Sequence, residues 1–184
     1  RKQLNVPQEA FIFGLIGRFD RLKGQLLALE AMQTMKQLNF VLVFLGEETK
    51  NESNGVLSEI HSTIKKNGWD EKVLIRPFMS SVGIFYSAID ALIMATKAET
   101  FGMVTLEAMA YGLPVVGSNL GGTPDLLDQG RFGRLFTSGN PLSLAEAMQT
   151  IQNDRDTIDA VERQKHLEQF DHQKVCKRLE SFFN

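Results

Sequence analysis

The stretch KAETFGMVTLEAMAYGLPVV, residues 97–116, holds two glutamates within a largely apolar segment. Glu99 and Glu107 are separated by seven residues, and Gly102 lies between them. Burying a carboxylate without a partner costs substantial free energy, so each glutamate needs a polar neighbour or a ligand. The segment therefore combines the pattern of a packed helix and strand with the chemistry of a binding site.

Apolar runs alternate with helical patterns on both sides of this stretch. Strands are predicted at 11–17, 40–46, 72–77, 90–96, 113–118 and 133–136, and helices at 24–38, 56–68 and 80–88, over about ten residues from Phe101, and onward from Pro141. Continuous apolar strands joined by helices are typical of βαβ units. The predicted fold class is α/β, a Rossmann-like parallel sheet of about six strands with helices on both faces.

Four polar or glycine-rich loops follow predicted strands. They are GRFDRLKG (17–24), GEETKNESNG (46–55), TKAETFG (96–102) and GSNLGGTPD (117–125). Right-handed crossovers place the carboxyl ends of parallel strands along one edge of the sheet, where open α/β sheets bind their ligands. These loops should therefore meet at one crevice.

The first of these loops carries Arg18 and Lys23 between a strand and the start of a helix. Arginine offers a planar fork of N–H donors and lysine a compact charge, and both suit phosphate oxygens. Helix N-termini also attract anions, which favours a phosphate site here. Two solvated surface cations are the alternative interpretation.

The two glutamates suit a ligand that carries hydroxyl groups. A carboxylate that accepts hydrogen bonds from two vicinal hydroxyls is a common way to hold a sugar, as with the ribose of dinucleotides. Gly102 would let such a ligand approach the backbone closely. Alternatively, Glu99 is a charge favoured by the helix dipole and Glu107 is a surface residue.

Composition narrows the class of protein. The chain has 184 residues, 43% hydrophobic residues and a formal net charge of -2, which does not indicate nucleic-acid binding. Its single cysteine cannot form an internal disulfide, and no apolar run reaches the roughly 20 residues that span a bilayer. The start lacks a methionine and an apolar signal core, so we expect a segment of a longer chain.

Four motifs in one order resemble the retaining glycosyltransferases of family 4. Residues 99–127 are similar to that family's Glu, seven residues and Glu, followed by Ala-Met-Ala-x-Gly-x-Pro-Val-Val and Gly-Gly-x-Pro-Glu. GRFDRLKG resembles its Gly-Arg-Leu-x-x-x-Lys-Gly motif with Phe19 in place of Leu, and RFGRLF and PLSLAEAM resemble later segments. The resemblance covers residues 11–152, and Asp125 stands where Glu is usual.

The resemblance implies a GT-B enzyme, of which this chain is the C-terminal, donor-binding Rossmann-like domain. It implies that Arg18 and Lys23 hold the donor diphosphate, that Glu99 contacts the transferred sugar and that Glu107 holds the nucleotide ribose. The base would lie near residues 76–78. The donor-binding residues implied are Gly17, Phe78, Phe101, Gly102, Met103, Val104 and Glu107, and the catalytic ones are Arg18, Lys23 and Glu99.

No metal and no cofactor are expected beyond the nucleoside-diphosphate sugar, which is the donor substrate. Fixed cations and helix N–H groups can stabilise the charge on a departing diphosphate without a metal. The Asp-x-Asp at 154–156 falls in the predicted helical tail and is interpreted as a capping or solvated segment.

The predicted function is transfer of a hexose-type sugar from a nucleoside-diphosphate sugar to an acceptor, with retention of anomeric configuration. We expect a donor-binding domain at 1–153, a helical extension at 154–184 and an N-terminal acceptor domain outside this chain. The fragment alone should be inactive. The acceptor would be a glycan, a lipid or another molecule, and no nucleic acid is expected. The enzyme should be cytoplasmic, and its full-length form could associate with the inner face of the membrane.

Three alternatives remain open at this point. A glycosidase-like acid/base pair needs both glutamates at one glycosidic bond, and it leaves Arg18, Lys23 and Gly102 unexplained. A sugar-nucleotide epimerase or hydrolase of related GT-B architecture would need catalytic groups of its own. A nucleotide-binding module without turnover would use the same loops.

Overall fold

Six strands form one parallel sheet in the computed structural model, which describes residues 1–48, 55–97, 101–154 and 159–171. The strands are β1 (Phe11–Ile16), β2 (Phe40–Leu45), β3 (Val73–Arg76), β4 (Ala91–Met94), β5 (Val115–Ser118) and β6 (Gly133–Phe136). Their order is β3-β2-β1-β4-β5-β6, and all neighbours are parallel. The predicted Rossmann-like α/β sheet is confirmed.

The central strands β1, β2 and β4 are apolar along their length because helices cover both faces of the sheet. All six residues of β2 and all four of β4 are buried. β1 pairs with β2 along all six of its residues and with β4 on its other side. A sheet with one solvated face would alternate apolar and polar residues, so the continuous apolar runs correctly indicated double coverage.

Two groups of helices form the two layers. One face carries α1 (Gln25–Thr34), α2 (Val56–Asn67) and α6 (Pro141–Asn153), which share one apolar core with the sheet. The other face carries α3 (Val82–Ala88) and α4 (Met103–Ala110), which share a second core, and α5 (Thr123–Leu126) packs beside α4. α7 (Ala160–Leu167) lies against α4.

The structure corrects two boundaries near the first and fifth strands. α1 ends at Thr34 rather than at residue 38, because the chain must turn back before β2, and Met35 already has an extended backbone. The segment after β5, which was expected to be a loop, contains α5 and a short 3-10 turn at Asp128–Gly130.

The helix that carries Glu107 also starts later than predicted. α4 begins at Met103 rather than at Phe101, and it has 8 residues. Gly102 is its N-cap and has a left-handed backbone with φ 86°, which a right-handed helix does not accommodate. Phe101 therefore belongs to the loop in front of the helix.

The first part of the C-terminal extension packs on the sheet domain. The Nε2 atom of His166 lies 2.9 Å from the carbonyl oxygen of Leu126, and its ring centroid is 4.8 Å from that of Phe132. Asp154 is the C-cap of α6 and has an extended backbone. It is therefore not part of a helix, although a helical tail was predicted here. Residues 155–158 and 172–184 lie outside the described residues, and the domain boundary at 154 stays a prediction.

Candidate functional site

The strand order creates a switch point between β1 and β4. From β1 the chain runs outward to β2 and β3, and it then returns to form β4 on the other side of β1. The connections after β1 and β4 therefore diverge to opposite faces, which opens a crevice at their carboxyl ends. The loop at 17–24 and the loop at 95–102 flank this crevice, although residues 98–100 lie outside the described residues.

The two loops are joined at backbone level. The N–H of Lys97 donates to the carbonyl oxygen of Leu22 at 2.9 Å. Gly24, with φ 84°, approaches so closely that a Cβ atom there would lie 2.3 Å from the carbonyl oxygen of Ala95. A glycine is required at this position for both reasons, and the contact holds the start of α1 against the end of β4.

Asp20 and Gln25 fix the conformation of the loop that carries the two cations. One carboxylate oxygen of Asp20 accepts from the N–H groups of Leu22 and Lys23 at 2.9 and 3.0 Å. The buried side chain of Gln25 donates to the carbonyl oxygen of Arg18 at 2.8 Å. The loop therefore presents Arg18 and Lys23 from a backbone that is fixed at both ends.

The Arg18 side chain is 64% exposed, and its guanidinium lies 3.7 Å from the Asp20 carboxylate. An ion pair of this length at an exposed position contributes little to stability. Gly17 donates its N–H to Leu45 at the end of β2, and Phe19 is buried beside it. Phenylalanine thus fills the core position where the resembled family has leucine.

The start of α4 presents backbone and apolar groups at the same edge. Phe101 and Met103 are exposed, and Val104 is half-buried against the core. The N–H groups of Thr105 and Leu106 bond back to the carbonyl oxygen of Gly102. Because the cap is a glycine, no side chain occupies the helix end, and a ligand can approach its first N–H groups.

Glu107 lies one turn into α4 and is half-buried. Its Oε2 atom accepts a hydrogen bond from the Tyr86 hydroxyl of α3 at 2.7 Å. Burial raises the pKa of the Tyr86 phenol, and the hydrogen bond to Glu107 raises it further, so the hydroxyl remains a donor at neutral pH. The carboxylate of Glu107 is therefore fixed by a buried hydrogen-bond donor, which disfavours the interpretation of Glu107 as a surface residue.

The remaining predicted residues are not gathered at the switch point by the described structure. Glu99 lies outside the described residues. Phe78 is exposed just after β3, which is two strands away from β1. The guanidinium of neighbouring Arg76 donates to the carbonyl oxygens of Leu4 and Asn5 at 2.5 and 2.7 Å, so it anchors the N-terminal segment.

Sequence reasoning missed three residues that shape this edge. Asp20 has a local signal, because aspartate commonly accepts bonds from N–H groups two and three residues onward. Gln25 has no such signal, since glutamine is a common helix residue and its partner lies seven residues upstream. Tyr86 also has none, because its contact to Glu107 depends on how α3 packs beside α4.

Cavity size does not identify the site. A cavity of about 930 Å³ lies at the opposite, amino edge of the sheet, where Arg1, Asp90 and Pro114 are among its lining residues. A second cavity of about 330 Å³ separates Glu107 from α7. Ligands of open α/β sheets bind at the carboxyl edge, so strand topology and charge assign the candidate site to the switch point.

No metal cluster or membrane span is found in the part of the chain that the structure describes. Histidine, cysteine and carboxylate side chains do not gather there in groups of three or more. The Asp154 carboxylate lies 3.7 Å from the Arg134 guanidinium. Within the same ranges, no helix combines the length and apolar character needed to cross a bilayer.

Known proteins share both the sequence pattern and the fold. Residues 1–170 match the family described as glycosyl transferases group 1. A D-inositol 3-phosphate glycosyltransferase of Corynebacterium jeikeium is 31% identical over 163 residues, which are 85% of this chain and 38% of the relative. The crystal structure of Anabaena Alr3699/HepE in complex with UDP matches with a TM-score of 0.86 and 28% identity. That match covers 98% of this chain and 51% of the solved one. This chain therefore spans about two fifths to one half of the length of these two proteins.

Proposed function

The chain belongs to the group 1 glycosyl transferases, and we propose that it is the donor-binding half of a retaining hexosyltransferase of family 4. The observation that carries this proposal is the joining of two loops at the switch point. The loop of Arg18 and Lys23 and the loop before α4 are bonded through Leu22 and Lys97. This bond supports a crevice in which cations and a helix N-terminus would both face a diphosphate.

Arg18 and Lys23 are the residues proposed to hold the diphosphate. Transfer of a glycosyl group builds up negative charge on the departing diphosphate while the sugar becomes oxocarbenium-like. Cations on a loop that is already fixed stabilise this charge without reorganising during the reaction. Their side chains can do so without a metal, and metal independence is part of the proposal.

Glu107 is proposed to accept hydrogen bonds from the vicinal hydroxyls of the nucleotide ribose. The Tyr86 hydroxyl donates to one oxygen of this carboxylate, and the proposal assigns the other oxygen to the ribose. Glu99 is proposed to contact hydroxyls of the transferred sugar, and Phe78 to lie beside the base. The backbone of residues 101–104 would contact the sugar and the phosphates.

Uridine is the base that we propose. Structures of Anabaena Alr3699/HepE contain UDP and UDP-glucose, and these similarities support a uridine nucleotide and a glucose-like sugar. The acceptor would be bound by the part of the protein that precedes this domain. The cytoplasmic location of the enzyme, and its contact with the membrane surface, stay predictions.

Thermal denaturation with a panel of nucleotides tests the proposal. UDP should raise the melting temperature of the chain, uridine should raise it less, and EDTA should leave the effect of UDP unchanged. Binding to the folded state alone stabilises a protein by mass action, so saturating ligand gives a clear shift. No stabilisation by millimolar UDP would contradict the proposal.

Substitution of each glutamate separates their roles. Glu107→Gln should weaken binding of UDP and of UDP-glucose alike, because both carry the ribose. Glu99→Gln should leave UDP binding nearly unchanged and weaken UDP-glucose. Calorimetry with both ligands measures the difference, and equal losses for both ligands in both variants would contradict this division of roles.

A further inference from the structure

A tyrosine of α3 holds the glutamate of α4. The Tyr86 hydroxyl donates to Oε2 of Glu107 at 2.7 Å, although the two residues are 21 positions apart in sequence. Tyr86 is 1% exposed and belongs to the core beneath α3 and α4, whereas Glu107 is half-buried at the edge of that core. The bond therefore links the buried layer to the candidate ligand site.

The bond is stronger than an ordinary side-chain contact. A buried tyrosine hydroxyl needs a partner, because leaving it unsatisfied costs its full desolvation penalty. Its acceptor here is a carboxylate, and hydrogen bonds to ionised groups are shorter and stronger than neutral ones. The phenol carries its proton at neutral pH, and burial raises its pKa further above that range, so the hydroxyl remains a donor.

The ring of Tyr86 is fixed from a second side. Tyr111 stacks on it with ring centroids 5.3 Å apart and an interplanar angle of 29°. The Tyr111 hydroxyl lies so close to α3 that a Cβ atom on Gly83 would be 2.3 Å from its oxygen. Tyr86 therefore cannot shift far without displacing Tyr111, and its hydroxyl has a defined position relative to Glu107.

We propose that Tyr86 is a positioning residue that occupies one carboxylate oxygen of Glu107 and aims the other at the ribose hydroxyls of the donor. This inference rests on the proposed function, because it requires Glu107 to hold the ribose. Without the tyrosine hydroxyl, the carboxylate can rotate about its terminal torsion, which is broad for glutamate. The affinity for ribose would then fall although Glu107 is still present.

Tyr86→Phe tests the proposal because it removes the hydroxyl and keeps the ring. The measurement is the ratio of affinities for UDP and 2′-deoxy-UDP, determined by calorimetry on the 184-residue chain. We expect the variant to bind UDP about 2- to 12-fold more weakly, the equivalent of one net hydrogen bond, and to lose much of its preference for UDP. A merely structural role would weaken both ligands equally and leave the ratio unchanged.

Tyr111→Phe is the matched control, since it removes the neighbouring hydroxyl and keeps the stacked ring. It should leave the ratio as in the wild type. Glu107→Ala should abolish the preference for UDP, and adding Tyr86→Phe to it should change the ratio no further. A Tyr86→Phe variant that keeps the wild-type ratio overturns the inference while the proposed function stands. A wild-type protein that does not prefer UDP over 2′-deoxy-UDP would instead contradict the proposed role of Glu107.

A spectroscopic measurement keeps the test valid if Tyr86→Phe does not fold. Tyr86 and Tyr111 are the two tyrosines of the chain, so Tyr111→Phe leaves Tyr86 as a single reporter. With ¹³Cζ-labelled tyrosine, saturating UDP should shift the NMR resonance of Tyr86. The ribose hydroxyls would donate to the same carboxylate of Glu107 and so weaken its hydrogen bond to Tyr86. Saturating 2′-deoxy-UDP should shift it less. A resonance that UDP leaves in place would overturn the inference.

Discussion

The N–H of Lys97 donates to the carbonyl oxygen of Leu22 at 2.9 Å, and this bond joins the loop after β4 to the loop after β1. Close by, Gly24 contacts the backbone of Ala95 so closely that no Cβ atom fits between them. These contacts hold the cationic loop against the end of β4. The proposed donor site depends on them, and each part of this arrangement can be changed separately.

Gly24→Ala should separate the two loops. The new Cβ atom would collide with the carbonyl oxygen of Ala95, and alanine would also be strained at φ 84°. Gly139→Ala is the control, because Gly139 has φ 73° and a Cβ atom there would meet nothing within 4 Å. Strain alone costs roughly 1–2 kcal/mol, so the control should lose about that much stability in urea denaturation and keep its affinity for UDP. Gly24→Ala should lose more stability and bind UDP more weakly, and equal effects in both variants would refute the loop contact.

Asp20→Ala should weaken UDP binding even though it removes a negative charge from the phosphate site. The carboxylate folds the loop by accepting from the N–H groups of Leu22 and Lys23, and this conformation is lost in alanine. Asp20→Asn keeps an acceptor oxygen and removes the charge, so it should bind UDP at least as tightly as the wild type. Calorimetry compares the three proteins. Tighter binding by Asp20→Ala would show that repulsion by the charge outweighs the fold of the loop.

The Tyr86–Glu107 bond predicts a dependence of stability on alkaline pH. Burial raises the pKa of the Tyr86 phenol above its unfolded value of 10.0. The stability that this shift contributes is therefore complete below pH 10 and is lost as the pH rises above it. Above pH 10 the free energy of unfolding of the wild type should fall by up to about 1.4 kcal/mol per pH unit more steeply than that of Tyr86→Phe. Urea denaturation from pH 8 to 11 measures both slopes, and parallel slopes would contradict the prediction.

The isolated chain should bind the donor and transfer sugar at a negligible rate. Glycosyl transfer requires that water be excluded from the reacting sugar, and closure of a second domain over the donor provides this in enzymes of this architecture. The chain spans 38% of the length of the Corynebacterium jeikeium relative. Radiolabelled UDP-glucose with a panel of acceptors measures transfer, and rapid transfer by the chain alone would contradict the proposal.

Much of the fold could be predicted because its signals are local. Strands β1, β2 and β4 are continuous apolar runs, and the loops that follow the strands of a parallel sheet must share one edge. The predicted start of α4 was wrong by two residues, because Phe101 is compatible with a helix in sequence. Gly102 follows it with a left-handed backbone, so the helix starts only at Met103.

The contacts that support the site depend on packing and could not be predicted in the same way. The Tyr86–Glu107 bond joins residues 21 positions apart, and it forms only because α3 and α4 lie side by side on one face of the sheet. The bond of Gln25 to Arg18 likewise depends on how the chain enters α1. By contrast, the turn at Asp20 follows a local rule and could have been recognised.

The most direct test of the central claim is calorimetry of Arg18→Ala and Lys23→Ala with uridine, UMP and UDP. If these side chains hold the diphosphate, each substitution removes a charge-assisted hydrogen bond of roughly 1.5–3 kcal/mol. Each variant should therefore bind UDP about 10- to 150-fold more weakly than the wild type. Uridine binding should be nearly unchanged in both, and EDTA should not alter the result. Equal losses for uridine and UDP would contradict the account, because the two cations would then support the fold rather than the phosphates.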